Sequence, residues 1–274
     1  MQVTFLGTAD GHTSAHRNHS GILLRTPETT LLLDCGAPVA PYLLREKIDA
    51  DLPHGIWLSH AHSDHIGQFP SLIQSLWLRA RRAPLHIYAP PSLAATLRDY
   101  LEKCLLFPEL IGFPIHWHDL KPGARFTLGA FELRAFATNH LVNLASFFQK
   151  GYPGTCFECY GATIDYQKNR YLYSADLALP QEMRGAIKPS RQPKQKPKRI
   201  QALFCELTHF PDKALFEELA GASIDSLWIT HYPDHLGTEQ AALRKLARKC
   251  GFKGEVHVMH DQQSCLLKFD KTKS

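Results

Sequence analysis

The sequence predicts an α/β fold in which two sheets pack together and helices cover their outer faces. Short β-like runs between turn signals outnumber the helical segments, and helical segments occur in both halves of the chain. Strands and helices mixed in this way are typical of sheets buried between other layers. With 274 residues, of which 44% are hydrophobic and 21% charged, the chain can bury a large core, so one domain over residues 1–274 is expected.

The predicted strands are apolar and β-branched runs bounded by turn residues, such as the TPETT turn that separates the second run from the third. In chain order they are Gln2–Gly7, Gly21–Arg25, Leu31–Asp34, Ile56–Ser59, Leu85–Tyr88, Arg125–Phe136, Thr155–Asp165, Arg170–Ser174, Gln201–Cys205, Ser226–Thr230, Glu255–Met259 and Cys265–Phe269. The predicted helices are the longer amphipathic runs, namely Phe69–Arg82, Pro91–Leu105, Lys213–Ala220 and Glu239–Lys249. No sequence repeat of fixed period interrupts this order.

Composition and cysteine usage predict a cytoplasmic protein that does not enter a membrane. No apolar run reaches the roughly 18 residues of a membrane helix, and the N-terminus lacks the charged and apolar regions of a secretory signal. Seven cysteines at scattered spacings favour reduced thiols over a disulfide framework. Cys156 and Cys159 form a single C-x-x-C, which by itself is a weak indication of a zinc or redox site.

A basic segment at about 184–199, RGAIKPSRQPKQKPKR, accounts for much of the net charge of +5. It contains seven lysines or arginines, three prolines and no acidic residue, which predicts an extended, solvated surface loop. Such a loop can bind phosphate backbones or can simply be a solvated insertion, and the sequence does not separate these two interpretations.

The segment HAHSDH, residues 60–65, holds four metal-binding side chains directly after an apolar strand. In an extended stretch His60 and His62 point to the same side, whereas Asp64 and His65 on the following turn face a second centre. The alternative is a polar loop without a ligand. The density of histidine and aspartate at this strand end favours a metal site.

These residues resemble a known family. The His-x-His-x-Asp-His pattern, with LLLDCG upstream and Gly67 just beyond, is similar to the metallo-β-lactamase superfamily of metal-dependent hydrolases. Further landmarks of that superfamily follow in order as FATNH, RYLYSAD and SLWITH, each at the end of a strand-like run. The resemblance implies a four-layer αββα sandwich with two divalent metal ions between the sheet edges.

The resemblance also implies a ligand for each position. His60, His62 and His140 would hold one ion, Asp64, His65 and His231 the other, and Asp176 would bridge them. Zinc suits these nitrogen and oxygen ligands, with manganese or iron as alternatives. Asp176 competes with a helix-capping role, and for the last ligand His260, His235 and His209 compete with His231.

Within the superfamily, the segment ALFCELTHF resembles the ribonuclease Z and phosphodiesterase branch, in which Glu206 would be catalytic by orienting a proton-donating histidine. Glu206 making only a structural hydrogen bond is the competing interpretation. The His-Ser-Thr segment that usually supplies the donor is missing here, so His209, His235 or a metal-bound water is expected to serve instead. The tRNA-gripping arm of ribonuclease Z also has no room between His140 and Asp176.

The expected function is therefore a binuclear phosphodiesterase in which a metal-bridging hydroxide attacks phosphorus and Asp64 orients that nucleophile. Hydrolysis of a lactone or other carboxylic ester is the first alternative. Ribonuclease Z-like tRNA processing and a noncatalytic metal-binding or nucleic-acid-binding module are the others. The expected partners are a small phosphodiester or a nucleic acid, no membrane, and a second copy of the chain in a homodimer.

Overall fold

The computed structural model describes residues 1–187 and 199–267, and within them the chain forms two mixed sheets. The first sheet has the order β14-β1-β2-β3-β4-β5-β6. Its strands are β1 (Gln2–Gly7), β2 (Gly21–Arg25), β3 (Thr30–Leu33), β4 (Gly55–Trp57), β5 (Leu85–Ala89), β6 (Ile115–Asp119) and β14 (Ser264–Leu266). The β14-β1-β2-β3 part is antiparallel, and β3-β4-β5-β6 is parallel.

The second sheet repeats this division in the order β13-β12-β11-β10-β9-β8-β7. Its strands are β7 (Arg125–Leu128), β8 (Phe131–Thr138), β9 (Cys159–Tyr166), β10 (Asn169–Tyr173), β11 (Ile200–Cys205), β12 (Ile224–Ile229) and β13 (Glu255–Val258). Here β10-β11-β12-β13 is parallel and β7-β8-β9-β10 antiparallel. In both sheets the parallel strands therefore bring their C-terminal ends to one edge.

Helices cover the outer faces of the two sheets. The α-helices are α1 (Val39–Arg45), α2 (Ser63–Ile66), α3 (Phe69–Leu78), α4 (Pro91–Lys103), α5 (Pro108–Ile111), α6 (Val142–Phe148), α7 (Arg184–Ile187), α8 (Asp212–Leu219) and α9 (Gln240–Lys249), and two 3-10 helices span Pro180–Met183 and Asp234–Thr238. No helix among the described residues is long and apolar enough to cross a bilayer.

Three apolar clusters define the layers. One lies between the sheets and joins Phe5, Trp57 and Tyr88 to Tyr171 and Phe204. The second packs the first sheet against α1, α3 and α4, and the third packs the second sheet against α7, α8 and α9. Parallel strands buried on both faces explain the continuous apolar runs in the sequence. The predicted αββα sandwich is confirmed.

Several predicted elements are wrong in extent. Arg125–Phe136 is a hairpin instead of one strand, because Gly129 adopts a positive φ of 54° and Leu128 pairs with Phe131. The strand predicted from Thr155 begins only at Cys159, and the helix predicted to Arg82 ends at Leu78. The strand β6 and the short helices α1 and α6 were not predicted, and the end of the strand predicted to Phe269 lies outside the described residues.

The predicted basic loop is wrong at its start, since Arg184–Ile187 is the helix α7 packed against the third cluster. Arg184 donates to both carboxylate oxygens of Glu218, and Arg199 is paired with Asp225. These two arginines are thus already neutralised by acids. Residues 188–198, which hold the rest of the segment, lie outside the described residues.

Candidate metal centre

The predicted ligands lie just beyond the C-terminal ends of strands from both sheets. His60 follows β4 in the first sheet, while His140, Asp176 and His231 follow β8, β10 and β12 in the second. His231 has a φ of 48°, in the left-handed region that residues other than glycine rarely adopt. Because the sheets face each other, these strand ends meet over one edge of the core.

The HAHSDH segment changes backbone conformation in its middle. His62 is extended and precedes the four-residue helix α2, which contains Asp64 and His65. This change directs His60 and His62 to one centre and Asp64 and His65 to a neighbouring one, as the spacing predicts.

Three groups of potential ligand atoms occur among the described residues, and two of them contain the predicted ligands alone. His60, His62, His140 and Asp176 form the first, and Asp64, His65 and His231 form the second. Within each group all ligand atoms lie within 4.8 Å of one another. The structure therefore brings together all seven side chains predicted as ligands, in the predicted grouping.

Asp176 lies between the two groups. Its Oδ2 is 3.5 Å from His140 Nε2 and 3.5 Å from His231 Nε2, and its Oδ1 is 3.4 Å from His65 Nε2. One carboxylate thus faces histidines of both groups. No helix among the described residues has Asp176 as its N-cap, so the competing role as a helix cap is not seen, and the bridging role of Asp176 stays a prediction.

The donor set fits divalent cations. His60 Nε2, His65 Nε2 and Asp176 Oδ1 are buried and have no hydrogen-bond partner among the described residues. Buried polar atoms without partners are costly, and a shared cation removes that cost. The opposite ring nitrogens are occupied, since His60 Nδ1 lies 2.9 Å from Ser59 Oγ and His231 Nδ1 2.9 Å from Ser20 Oγ. This places the free Nε2 atoms toward the centre.

Burial keeps several of these histidines neutral. It lowers the pKa of His60 well below the ordinary value and that of His140 to about 4, despite the opposing charge of Asp176. Neutral imidazole is the form that binds metal. Burial opposes the ionisation of Asp176 too, but the surrounding histidines, His231 foremost, hold the pKa of Asp176 well below its usual range.

Asp34 is a site residue whose role the sequence analysis missed. It is fully buried at the end of β3, in the LLLDCG segment, and its Oδ2 accepts from His65 Nδ1 at 2.6 Å. The neighbouring Gly36 packs so closely that a Cβ there would lie 1.7 Å from Asp64 O. The LLLDCG segment thus packs against α2, which explains why positions 34 and 36 are an aspartate and a glycine.

Glu206, which is buried, and His209, which is exposed at one end, form a hydrogen-bonded pair at the centre. Glu206 is 1% exposed and accepts from the backbone N–H of Leu177, Thr208 and His209 and from His209 Nδ1. His209 Nε2 then lies 4.0 Å from Asp176 Oδ2. Burial alone would lower the pKa of His209, but the hydrogen bond and charge of Glu206 raise it. Both interpretations of Glu206, as a structural acceptor and as an orienting group, have contacts that support them.

The competing histidines lie elsewhere. His235 and His260 are exposed and belong to none of the ligand groups found among the described residues. His209 does belong to one, with Asp176 and His231. The seven cysteines are all free, as expected, and Cys159 Sγ contacts Asp176 O instead of pairing with Cys156.

Comparison with known proteins identifies the family. The sequence model of the family described as anti-Pycsar protein Apyc1 matches residues 1–254. The chain belongs to the Apyc1 family. This Apyc1-family chain also resembles ribonuclease Z of Picosynechococcus, with 34% identity over 56% of the chain and 49% of that protein. Ribonuclease Z of Methanothermobacter thermautotrophicus is 34% identical over 55% of the chain and 48% of that protein. The chain spans about half the length of these curated relatives.

Solved structures support the same fold. The metallo-β-lactamase fold protein YhfI from Bacillus subtilis matches 96% of this Apyc1-family chain and 98% of its own, with a TM-score of 0.72 and 22% identity. The short form of human tRNase Z matches 98% of this chain and 100% of its own, with a TM-score of 0.67 and 19% identity. The metallo-β-lactamase fold and the similarity to the ribonuclease Z branch, both expected from the sequence, are confirmed.

Proposed function

We propose that this chain, as one domain, is a hydrolase of phosphodiester bonds that uses two divalent metal ions, preferably zinc. The observation that carries the proposal is the convergence of two ligand groups on Asp176, with buried His60 Nε2 and His65 Nε2 left without hydrogen-bond partners. Manganese or iron suits the same donors. The sequence similarity to ribonuclease Z supports a phosphodiester as the substrate class.

Seven residues would hold the ions: His60, His62 and His140 one, Asp64, His65 and His231 the other, with Asp176 shared. When bound, the ions would supply an activated water as nucleophile and neutralise charge on the phosphate oxygens. Asp64 belongs to the second group, with Oδ2 3.5 Å from His65 Nε2 and 4.0 Å from His231 Nε2. We assign Asp64 the role of orienting the attacking water as well as that of ligand.

His209 would protonate the leaving group. Glu206 fixes Nδ1 at 2.8 Å, so Nε2 is the nitrogen that faces the centre, and the hydrogen bond and charge of Glu206 raise the pKa of His209, which favours its protonated form. His209 is 30% exposed, which leaves room for a substrate oxygen. In this role it replaces the missing His-Ser-Thr segment, and Glu206 acts by positioning it.

Carboxylic-ester hydrolysis is the second candidate, and one observation favours it. The helix α6 begins two residues after His140, buries none of its residues and exposes Phe147 by 80% and Phe148 by 49%. Exposed phenylalanines on a helix that begins this close to His140 would suit an apolar acyl or lactone substrate. Nucleic acid as the substrate and assembly into a homodimer stay predictions.

The test is metal-dependent turnover of bis(p-nitrophenyl) phosphate beside a lactone and a phosphomonoester, after loading with zinc or manganese. The wild type should cleave the diester, Asp64→Ala should lose it, and His260→Ala should retain it as the matched control for an exposed histidine outside the ligand groups. RNA and small cyclic phosphates are the next substrates. Cleavage of the lactone alone would refute the phosphodiesterase and leave the ester hydrolase.

The proton donor is tested by changing the leaving group. p-Nitrophenolate leaves without protonation, whereas an alkoxide needs a proton, so His209→Ala should cost about 100-fold or more only with alkyl diesters. His235→Ala, in which an exposed histidine is removed, is the control and should change neither rate. An equal loss with both substrates would mean that His209 has a different role.

A further inference from the structure

The buried hydroxyl of Tyr173 links the two sheets directly beside the metal centre. Tyr173 is the last residue of β10 in the second sheet, and its OH donates to Asp34 Oδ2 at 2.5 Å. Asp34 follows β3 in the first sheet, 139 positions away in sequence. Tyr173 is 4% exposed and Asp34 is fully buried, so water does not compete with this hydrogen bond.

Asp34 also forms hydrogen bonds that hold histidines of both ligand groups, one directly and one through Ser59. Its Oδ2 accepts from His65 Nδ1 at 2.6 Å and from Ser59 Oγ at 2.8 Å. Ser59 Oγ has a single hydrogen and donates it to Asp34, so at 2.9 Å it accepts from His60 Nδ1. Both rings therefore carry their proton on Nδ1, which leaves each Nε2 free to bind a cation.

Tyr173 is also three residues before Asp176, which faces both groups. The second sheet carries Asp176, whereas the first sheet carries His60 and His65, so the spacing of these ligands depends on how the sheets are joined. The Tyr173–Asp34 hydrogen bond joins them at that point.

We infer that Tyr173 is a positioning residue for both metal ions, acting through Asp34 and Ser59 on the histidines of the first sheet while it fixes the strand that carries Asp176. This inference rests on the proposed two-metal centre and deepens it. Tyr173 touches none of the reacting atoms. Its effect should therefore appear in metal affinity and ligand geometry before it appears in turnover.

The chain offers a matched control on the same strand. Tyr171 lies two residues earlier and thus on the same face of β10, is fully buried in the same core, and donates to a side-chain oxygen, that of Gln201. Tyr171→Phe removes the same phenolic oxygen from a neighbouring, part-buried hydrogen bond on this strand, without a contact to Asp34.

The experiment measures metal stoichiometry and zinc affinity by competition with a chromophoric chelator, and the visible absorption of the cobalt-loaded protein, for wild type, Tyr173→Phe and Tyr171→Phe. Tyr173→Phe should lower the affinity for each of the two ions by about 10-fold or more, as loss of a supporting hydrogen bond does in other metal sites. It should also shift the absorption bands of the cobalt-loaded protein. Tyr171→Phe should lower the unfolding temperature comparably but leave affinity and spectrum unchanged.

Ser59→Ala adds a second readout, because it cuts the path to His60 and retains the direct bond from Asp34 to His65. Ser59→Ala should lower the affinity for one ion more than that for the other, whereas Tyr173→Phe should lower the affinity for both ions. Unchanged affinities and cobalt bands in Tyr173→Phe, or a loss confined to one ion, would overturn the inference. A wild type that binds no metal would instead refute the proposed function itself.

Discussion

Replacement of Glu206 by glutamine tests how one buried carboxylate supports the site. Oε1 accepts from Leu177 N at 2.6 Å, and Oε2 accepts from Thr208 N at 3.1 Å and His209 N at 3.2 Å. Glutamine keeps one acceptor oxygen and places an NH2 group where the other stood. The less costly orientation turns this NH2 toward Leu177, because only one backbone N–H is then left without an acceptor.

One buried unsatisfied donor costs about 1–3 kcal/mol, so Glu206→Gln should lower the free energy of unfolding by about 2 kcal/mol. For a domain of this size that corresponds to a drop of roughly 4 to 8 °C in unfolding temperature. The remaining amide oxygen still reaches His209 Nδ1, but the charge that raises the pKa of His209 is gone. Turnover of alkyl diesters should therefore fall about 10- to 100-fold.

A double-mutant cycle with His209→Ala separates the two effects, read by thermal unfolding and by alkyl-diester turnover. If Glu206 acts on turnover through His209, then adding Glu206→Gln to His209→Ala should lower the unfolding temperature further. It should not lower the turnover of alkyl diesters further. Additive losses of activity in the double variant would refute this reasoning and would assign Glu206 an independent catalytic effect.

Three further predictions concern stability. Removal of metal by a chelator should lower the unfolding temperature, since an ion in hundredfold excess over its Kd stabilises the folded protein by about 2.7 kcal/mol. In Asp176→Asn the chelator should change the unfolding temperature little. If the chelator lowered it as much as in the wild type, the stabilising ion would bind elsewhere. Burial, together with the neighbouring histidines, lowers the pKa of both His86 and His118, which lie 2.9 Å apart, so the unfolded chain binds more protons and stability should fall as pH drops through about 6.5. His118→Phe, which retains an aromatic ring against Tyr88, should flatten this dependence in unfolding measured from pH 8 to 5, and an unchanged slope would exclude the pair as its source. Arg81 is 1% exposed and donates to three backbone carbonyl oxygens, so Arg81→Met should destabilise by roughly 2 to 5 kcal/mol in denaturant titration, and a loss below about 1 kcal/mol would show that those carbonyls find other donors.

The residues that the sequence predicts best are those whose spacing is local. In the HAHSDH segment, four side chains within six positions straddle the start of α2, so the division into two groups follows from local backbone geometry. The role of Asp34 depends on contacts with Ser59 and His65 from one distant segment and with Tyr173 from another, and no local pattern encodes these contacts.

The errors in the predicted strands and helices have equally specific causes. The hairpin at Gly129 lies inside one continuous β-like run, and a single glycine is a weak turn signal. The strand β6 reads Ile-His-Trp-His-Asp and is half-exposed at the sheet edge, and its apolar alternation is limited to Ile115 and Trp117, which is too short a pattern to mark a strand. The helix α6 buries no residue and so has no apolar face turned to a core.

The position of Glu206 favours His209 over His235 as the proposed proton donor, and this position cannot be predicted from the sequence. His209 is three residues after Glu206, in the turn that follows β11, and this turn folds the imidazole back onto the carboxylate. His235 is four residues after His231 but lies on an exposed 3-10 helix. The proposed donor and its orienting acid lie within one four-residue turn, so the proposed mechanism needs no separate donor segment elsewhere in the chain. In this chain the orientation of His209 therefore depends on a local turn, while the spacing of the metal ligands depends on contacts between the sheets, and variants such as Glu206→Gln and Tyr173→Phe should affect proton transfer and metal binding separately.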